Sequence, residues 1–326
     1  MTTWATVSSS RQRFSVSSMA RAISGFREFR ALGRSRVITP VVPRTSVFTN
    51  SVMPPSVPHH TGMVWAMQTS RLIALDMDGT LLTPQGQVPK RFWQLDDDAT
   101  AQSVTLTPAS GRQLATLQRM FPACETFIAE NGAVVWHGGE VVSTTDLPLD
   151  AARNLIAALP DAPFPAHTVI CAPEVATTLP LPPAIDAEVD KYYASRTTLA
   201  ALGDHPTPVI KIALYVETDA ERDALPWVRK HAPELRAVVS GKHWLDIMHP
   251  DADKGQALEA LADTLDIPLA QTAAFGDFLN DYGMLRAAGY AVAMENAHPD
   301  LKAIADEVIG SNGDEAVVDK LAQWLQ

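Results

Sequence analysis

The chain has 326 residues, 46% hydrophobic and 19% charged, with a formal net charge of −11. This fits one large or two ordinary globular domains, and there is no uninterrupted apolar run of about eighteen residues to cross a membrane. The acidic balance argues against a nucleic-acid surface, whose main attraction is to phosphate, and two cysteines, Cys124 and Cys171, are too few for a disulfide framework or a metal cluster.

The charge is unevenly divided. Residues 1–66 hold eight arginines, no lysine and one acid, Glu28, so the rest is more acidic than the whole. This basic stretch, rich in Ser, Arg, Thr and Pro, shows no helical or strand period. It reads as an extension outside the folded body: a disordered tail, a transit-type segment, or residues upstream of a true start at Met67, the reading preferred here. It lacks the apolar core and small-residue cleavage site of a secretory signal, so a cytoplasmic location is expected.

From residue 71 strands and helices alternate. Residues 72–75 form a short continuous apolar run, as expected of a strand buried on both faces. A second strand is expected at 103–107, followed by a helix over 113–120 and a third strand at 127–129. Residues 148–245 differ in texture. They hold a helix near 151–159, a Pro-rich stretch over 160–183, a strand at 209–216, a helix near 220–230 and a strand at 237–240 leading to residues 244–247. After the helix 256–265 come strands at 272–275 and 290–294, with a short helix over 281–288 between them. A last helix is expected to be capped by Asn296 and to carry Pro299 in its first turn. The pattern predicts an α/β fold, a Rossmann-like parallel sheet built from 67–147 and 246–326, with an inserted α+β domain at 148–245.

In such sheets ligands collect beyond the carboxyl ends of the strands, where Asp76, Ser110, Glu130 and Asp277 all fall. Asp76 and Asp78, one residue apart on extended chain, point to the same side. Near a divalent cation one carboxylate can act as nucleophile and ligand while the other moves a proton. Gly79 permits a sharp exit from the strand, and Thr80 adds a hydroxyl and amides. An EF-hand loop also begins D-x-D, but it needs glycine sixth and glutamate twelfth, and Gly79 is fourth while position 87 is Gln. Ser110 and Gly111 offer a hydroxyl and amides to a phosphate oxygen. Arg112 can clamp a substrate or simply open the following helix. Lys254, opening another helix, places a cation near the same point, although alone it reads as an exposed lysine beside Asp251 and Asp253. Asp277 supplies a hard oxygen ligand suited to magnesium, with Asp281 close behind or capping the next helix. His243 and His249 read as ordinary surface or cleft residues, and Trp244 as packing.

These segments together resemble the haloacid dehalogenase superfamily of phosphatases, in particular the Cof-like group with a large α/β cap. The resemblance runs from about 67 to 326. It rests on LDMDGTLL (75–82), ASGR (109–112), AENGA (129–133), DADKG (251–255), FGDFLND (275–281) and AVAMENAHPDLKAIAD (291–306). It implies Asp76 as nucleophile, Asp78 as general acid/base, and Ser110 and Lys254 as phosphate holders, joined by Thr80, Gly111 and Asn280. Arg112 and Asn131 become candidate substrate contacts. Magnesium would be held by Asp76, Asp277 and the Asp78 carbonyl, with Asp281 behind them. Ser110 stands where threonine is commoner, and Phe278 where the family usually has a small or amide residue. The expected substrate is a small phosphorylated metabolite, with Lys191, Tyr192, Tyr193, Arg196 and Lys211 as candidate contacts to its leaving group. A phosphomutase on the same core and a non-catalytic phosphometabolite-binding protein are the alternatives.

Overall fold

The computed structural model describes residues 70–326; the basic extension 1–66 and the start at Met67 lie outside the described residues. Two sheets organise the chain. The larger has eight strands: β1 (Leu72–Asp76), β2 (Thr105–Ala109), β3 (Thr126–Ala129), β4 (Val134–His137), β5 (Glu140–Thr144), β12 (Thr272–Gly276), β13 (Tyr290–Met294) and β14 (Glu307–Ile309). The other six strands form the second sheet: β6 (Ala166–Cys171), β7 (Ala176–Thr178), β8 (Arg196–Thr198), β9 (Lys211–Val216), β10 (Arg236–Gly241) and β11 (Trp244–Met248).

The spatial order of the first sheet is β14-β13-β12-β1-β2-β3-β4-β5. From β14 to β3 every pairing is parallel, and β4 and β5 add an antiparallel edge. β1 sits between β2 and β12, where the chain changes its direction of travel across the sheet. That switch opens a crevice at the carboxyl ends of these strands. The apolar run of β1 is buried along its whole length, as a strand covered on both faces must be.

The strand expected at 103–107 lies two residues further on, with Pro108 inside it. A proline usually ends a strand reading. Here β2 is in register with β3 only through Ala109↔Ile128, so the ladder is thin beside it. The helix after β13 is Pro299–Ile304, capped by His298, whose Nδ1 accepts from the Asp300 N–H at 3.2 Å, and not by Asn296.

The second sheet is inserted between β5 and β12, in the order β10-β11-β9-β6-β7-β8. Trp244–Met248 pairs along its length with β9, so residues 246–248 go with this sheet and not with the core segment expected to begin at 246. Strand alternation gives the sheet two unlike faces. Ile170, Ile212, Leu214, Leu245 and Ile247 form one apolar cluster with Ala152, Leu155 and Val228 of the helices Leu149–Ala158 and Leu225–His231. On the other face Val169, Cys171, Ala213, Trp244 and Met248 join the main core cluster. The same face carries Lys211 and Asp246.

Candidate active site

Asp76 ends β1, and the turn Met77–Leu81 follows, with Gly79 at φ +84°. A Cβ at Gly79 would stand 2.2 Å from Asp277 Oδ2, so only glycine lets this turn approach the end of β12. Thr80, almost fully buried, donates to Asp277 Oδ1 at 3.4 Å. Asp76, Asp277 and Asp281 thus converge, each offering a carboxylate oxygen within 4.8 Å of the others.

Lys254 opens the helix Lys254–Thr264, whose N-cap Asp253 accepts from the Gly255 N–H at 2.7 Å. Its ammonium is fully buried and donates to Asp76 Oδ1 and Asp281 Oδ1, each at 2.6 Å. Asp281 Oδ2 accepts from the N–H groups of Asp277 (3.0 Å) and Phe278 (3.2 Å). Both oxygens of Asp281 are committed to holding the loop and its side chain is fully buried, whereas Asp76 and Asp277 border the cleft.

Burial drives the Asp76 carboxyl up to about 7, reinforced by Asp281 and Asp277 and opposed by Lys254. Burial and then Asp281 raise Asp277 to about 6. Burial works against the Lys254 ammonium, yet Asp281 and Asp76 hold its pKa above the ordinary lysine value. Three carboxylates against one ammonium leave the cluster short of positive charge, and its donors are hard oxygens. That composition fits magnesium, with Asp76 and Asp277 as the residues able to hold it.

The carboxylate of Asp78 does not join this cluster. It is exposed and takes a two-pronged contact from Arg112, Nη2 to Oδ1 at 2.6 Å and Nε to Oδ2 at 3.1 Å. Ser110 lies at the end of β2, and its Oγ accepts from the Arg112 N–H at 3.2 Å. A Cβ on Gly111 would meet Asn131 Nδ2 at 2.8 Å, and Asn131 Oδ1 accepts from Asn280 Nδ2 at 3.3 Å. The turn after β3 braces the Ser110–Arg112 turn through Glu130 N–H to Arg112 O (3.0 Å) and Asn131 N–H to Ser110 O (2.9 Å). Glu130 and Asn131 hold φ of +53° and +55°, an uncommon conformation for residues with side chains.

A cleft of about 1090 Å³ opens over these residues. Asp76, Asp78, Ser110, Arg112, Asp277 and Asn280 border it on one side, and residues of the second sheet on the other. Of the candidate leaving-group contacts, Tyr192, Tyr193 and Lys211 line it. Lys191 instead pairs with Glu188, and Arg196 bonds to Asp186 and Asp190 at 2.6 and 2.7 Å, which corrects the expectation for these two. Trp244 packs, as expected, against Tyr192 and Tyr215 with ring centroids 5.4 and 5.3 Å apart, but it also borders the cleft.

Two contributions went unread in the sequence. Asn296 donates through Nδ2 to Gly79 O at 2.9 Å and to Asp277 Oδ2 at 3.2 Å, tying the turn after β1 to Asp277. Glu130 and Lys211 form a buried ion pair between the two sheets, with neither Glu130 oxygen accepting a directed hydrogen bond. Burial raises the Glu130 carboxyl and opposes the Lys211 ammonium, but Glu130, Tyr193 and Asp246 keep Lys211 well above the ordinary lysine value. Asn after a strand and Lys within one carry no motif of their own, so only the fold reveals these partners.

A family model described as haloacid dehalogenase-like hydrolase matches residues 73–321. The chain is 30% identical to the 5-amino-6-(5-phospho-D-ribitylamino)uracil phosphatase YbjI of Escherichia coli, over 78% of this chain and 96% of that one. It is 31% identical to the HMP-PP phosphatase of Cronobacter sakazakii, with the same coverages. A solved haloacid dehalogenase-like hydrolase from B. subtilis superposes with a TM-score of 0.64 at 27% identity, over 77% of this chain and 99% of that one.

Proposed function

This chain belongs to the haloacid dehalogenase-like hydrolases, and we propose that it is a magnesium-dependent phosphatase working through a phosphoryl group carried on Asp76. It is a phosphomonoester hydrolase, in line with the phosphatases it is similar to, and small phosphorylated metabolites are its substrate class. Residues 67–147 and 246–326 act as the catalytic core and 148–245 as a cap over it, with residues 246–248 moving to the cap by their strand pairing. The observation that carries the mechanism is the placement of Asp76. It is buried at the switch point of the sheet and borders the cleft, with one oxygen bound by Lys254 and the other accepting no hydrogen bond from the described residues.

In the first step that free oxygen attacks phosphorus, and the bond from phosphorus to the ester oxygen breaks. Asp78, turned from Arg112 toward the substrate and carrying the proton it regains in each second step, passes that proton to the departing oxygen. In the second step water attacks the phosphoryl group on Asp76, Asp78 takes the proton, and phosphate leaves. Lys254, Ser110 Oγ and the Gly111 amide receive the phosphoryl oxygens, with Thr80 and Asn280 positioning the loops around them. Asp76, Asp277 and the Asp78 carbonyl would hold magnesium, which would supply positive charge beside the transferring oxygens, the usual source of most catalytic stabilisation in phosphoryl transfer.

The test is phosphate release from a panel of phosphate monoesters with magnesium, with EDTA, and with magnesium restored. Release that EDTA stops and excess magnesium recovers is expected. Release that persists at full rate in EDTA would refute the metal-dependent mechanism.

A further inference from the structure

The helix Leu114–Met120 begins directly after the Ser110–Arg112 turn, and it meets the inserted domain along the segment 192–195, which leads into β8. Gln113, at the head of that helix and 2% exposed, makes the tightest tie. Its Nε2 donates to Ser195 O at 2.7 Å, and its Oε1 accepts from the Ser195 N–H at 2.9 Å. One side-chain amide thus pairs with the backbone of one residue in both directions, as a neighbouring strand would. Further along the helix Thr116 Oγ1 donates to Tyr192 O at 3.1 Å, and Arg119 Nη2 to Ala194 O at 3.3 Å.

The same turn is held from a second side. The N–H groups of Glu130 and Asn131 donate to the carbonyls of Arg112 and Ser110, and the Glu130 carboxylate pairs with Lys211 of β9. Both ties from the inserted domain therefore converge on residues 110–113. Within them the carbonyls of Ser110, Arg112 and Gln113 and the N–H groups of Ser110 and Arg112 are engaged. The Gly111 N–H donates to no described residue, and Gly111 borders the cleft. Such a donor serves a phosphoryl oxygen only while its peptide plane is fixed, since a misplacement of about 1 Å can cost about a hundredfold in rate. Gln113 follows Gly111 by two residues, and both ends of its amide are taken by Ser195, so its own contribution is to hold the turn at its exit.

We propose that Gln113 is a positioning residue for the phosphate-receiving turn, and that the inserted domain, through the backbone of Ser195, sets how firmly that turn holds a phosphoryl group. The grip on phosphate then depends on the inserted domain being in place, by way of a residue that touches no substrate. This rests on the phosphatase reading for its catalytic meaning, but the binding of inorganic phosphate tests it without turnover.

The experiment is calorimetric titration of the full chain with inorganic phosphate, in magnesium, at about pH 5 and about pH 8, each variant being compared with wild type at the same pH. Gln113→Met keeps the volume and removes both hydrogen bonds, and should weaken phosphate about fivefold or more at both pH values. Thr116→Val combined with Arg119→Ala removes the other two ties of the helix and should change the affinity by less than about twofold. Gln113→Glu should bind weakly at about pH 8 and return close to wild type at about pH 5. A protonated carboxyl restores a donor and an acceptor toward Ser195, and burial beside a carbonyl oxygen raises its pKa. Unchanged affinity in Gln113→Met, or a Gln113→Glu variant equally weak at the two pH values, would overturn the assignment. So would an equal loss in the Thr116→Val/Arg119→Ala variant, which would make Gln113 one anchor of the inserted domain among three. The pH ratio of Gln113→Glu decides by itself should Gln113→Met not fold. A wild type that neither binds phosphate nor releases it from acetyl phosphate would sink the phosphatase reading. A wild type that does both, with Gln113→Met its equal, sinks this inference alone.

Discussion

Lys254 and Lys211 are both buried, at 0% and 3% exposure, and both face carboxylates, yet their surroundings are unlike. Lys254 stands between Asp76 and Asp281 with Asp277 nearby, so its cluster keeps a negative excess even with the ammonium in place. Lys211 meets Glu130 directly, and that pair joins the turn after β3 to the first residue of β9 in the other sheet. The first arrangement is electrostatically incomplete, as a site that receives a cation and a phosphoryl group must be. The second is closer to balance, with Asp246 as a further carboxylate beside the Glu130–Lys211 pair, and it joins the two sheets. Burial of a lysine therefore does not identify function; the charge left over around it does.

The largest expected effect removes the nucleophile from the incomplete cluster. Asp76→Asn should lower kcat by about a thousandfold or more, since a nucleophile acts as part of a unit. Near-normal turnover by this variant would erase the difference between the two clusters. Lys254→Met should lower kcat by about a hundredfold, the scale of one lost charge-stabilising contact in a closed site. On the balanced side, Lys211→Met leaves Glu130 buried without its counter-charge and should cost about 3 kcal/mol in urea unfolding. Adding Glu130→Gln should recover most of that stability, because a neutral pair needs no buried countercharge. If the double variant is no more stable than the single, the pair does not hold the two sheets together.

A smaller effect separates the clusters by pH. Asp76 and Asp277 have folded pKa values raised to about 7 and about 6, above the ordinary carboxyl value of 3.8. The folded state thus holds these protons more tightly than the unfolded chain does. Their contribution to stability is complete below the ordinary carboxyl range and is lost as pH rises through about 6 to 7. Magnesium takes the deprotonated carboxylates, so the rise in Tm that it produces should be larger at about pH 8 than at about pH 5, by a few degrees. A magnesium-induced shift that is the same at both pH values would contradict this.

Much of the core was legible because its strands are short apolar runs ending in the residues that carry chemistry. β1, β3, β12 and β13 follow that rule, and their carboxyl ends bring Asp76, the Glu130–Asn131 turn and Asp277 to one place. The β4–β5 hairpin passed unread: Val134 and Val135 are buried, but the rest of the hairpin, turning at Gly138-Gly139, is a half-buried to exposed edge. β6 and β7 were hidden in a proline-rich stretch, where prolines flank the strands and do not interrupt them. Of the site residues, Asp76, Asp277, Asp281 and Lys254 are placed together in space. Asp78 faces Arg112 instead, because its side chain follows a turn that Gly79 bends away from the strand. Asn296 was read as a helix cap because asparagine favours that position, and nothing local discloses that Gly79 O, distant in sequence, lies beside it.

The central claim is that Asp76 itself carries the phosphoryl group. It is tested most directly by acid-quenching the enzyme during turnover and locating the label by peptide mass spectrometry. A phosphoryl group on the peptide containing Asp76, absent from Asp76→Asn, is the expected result. A wild-type enzyme that turns over quickly while this peptide stays unmodified, or becomes labelled at another residue, would contradict the account.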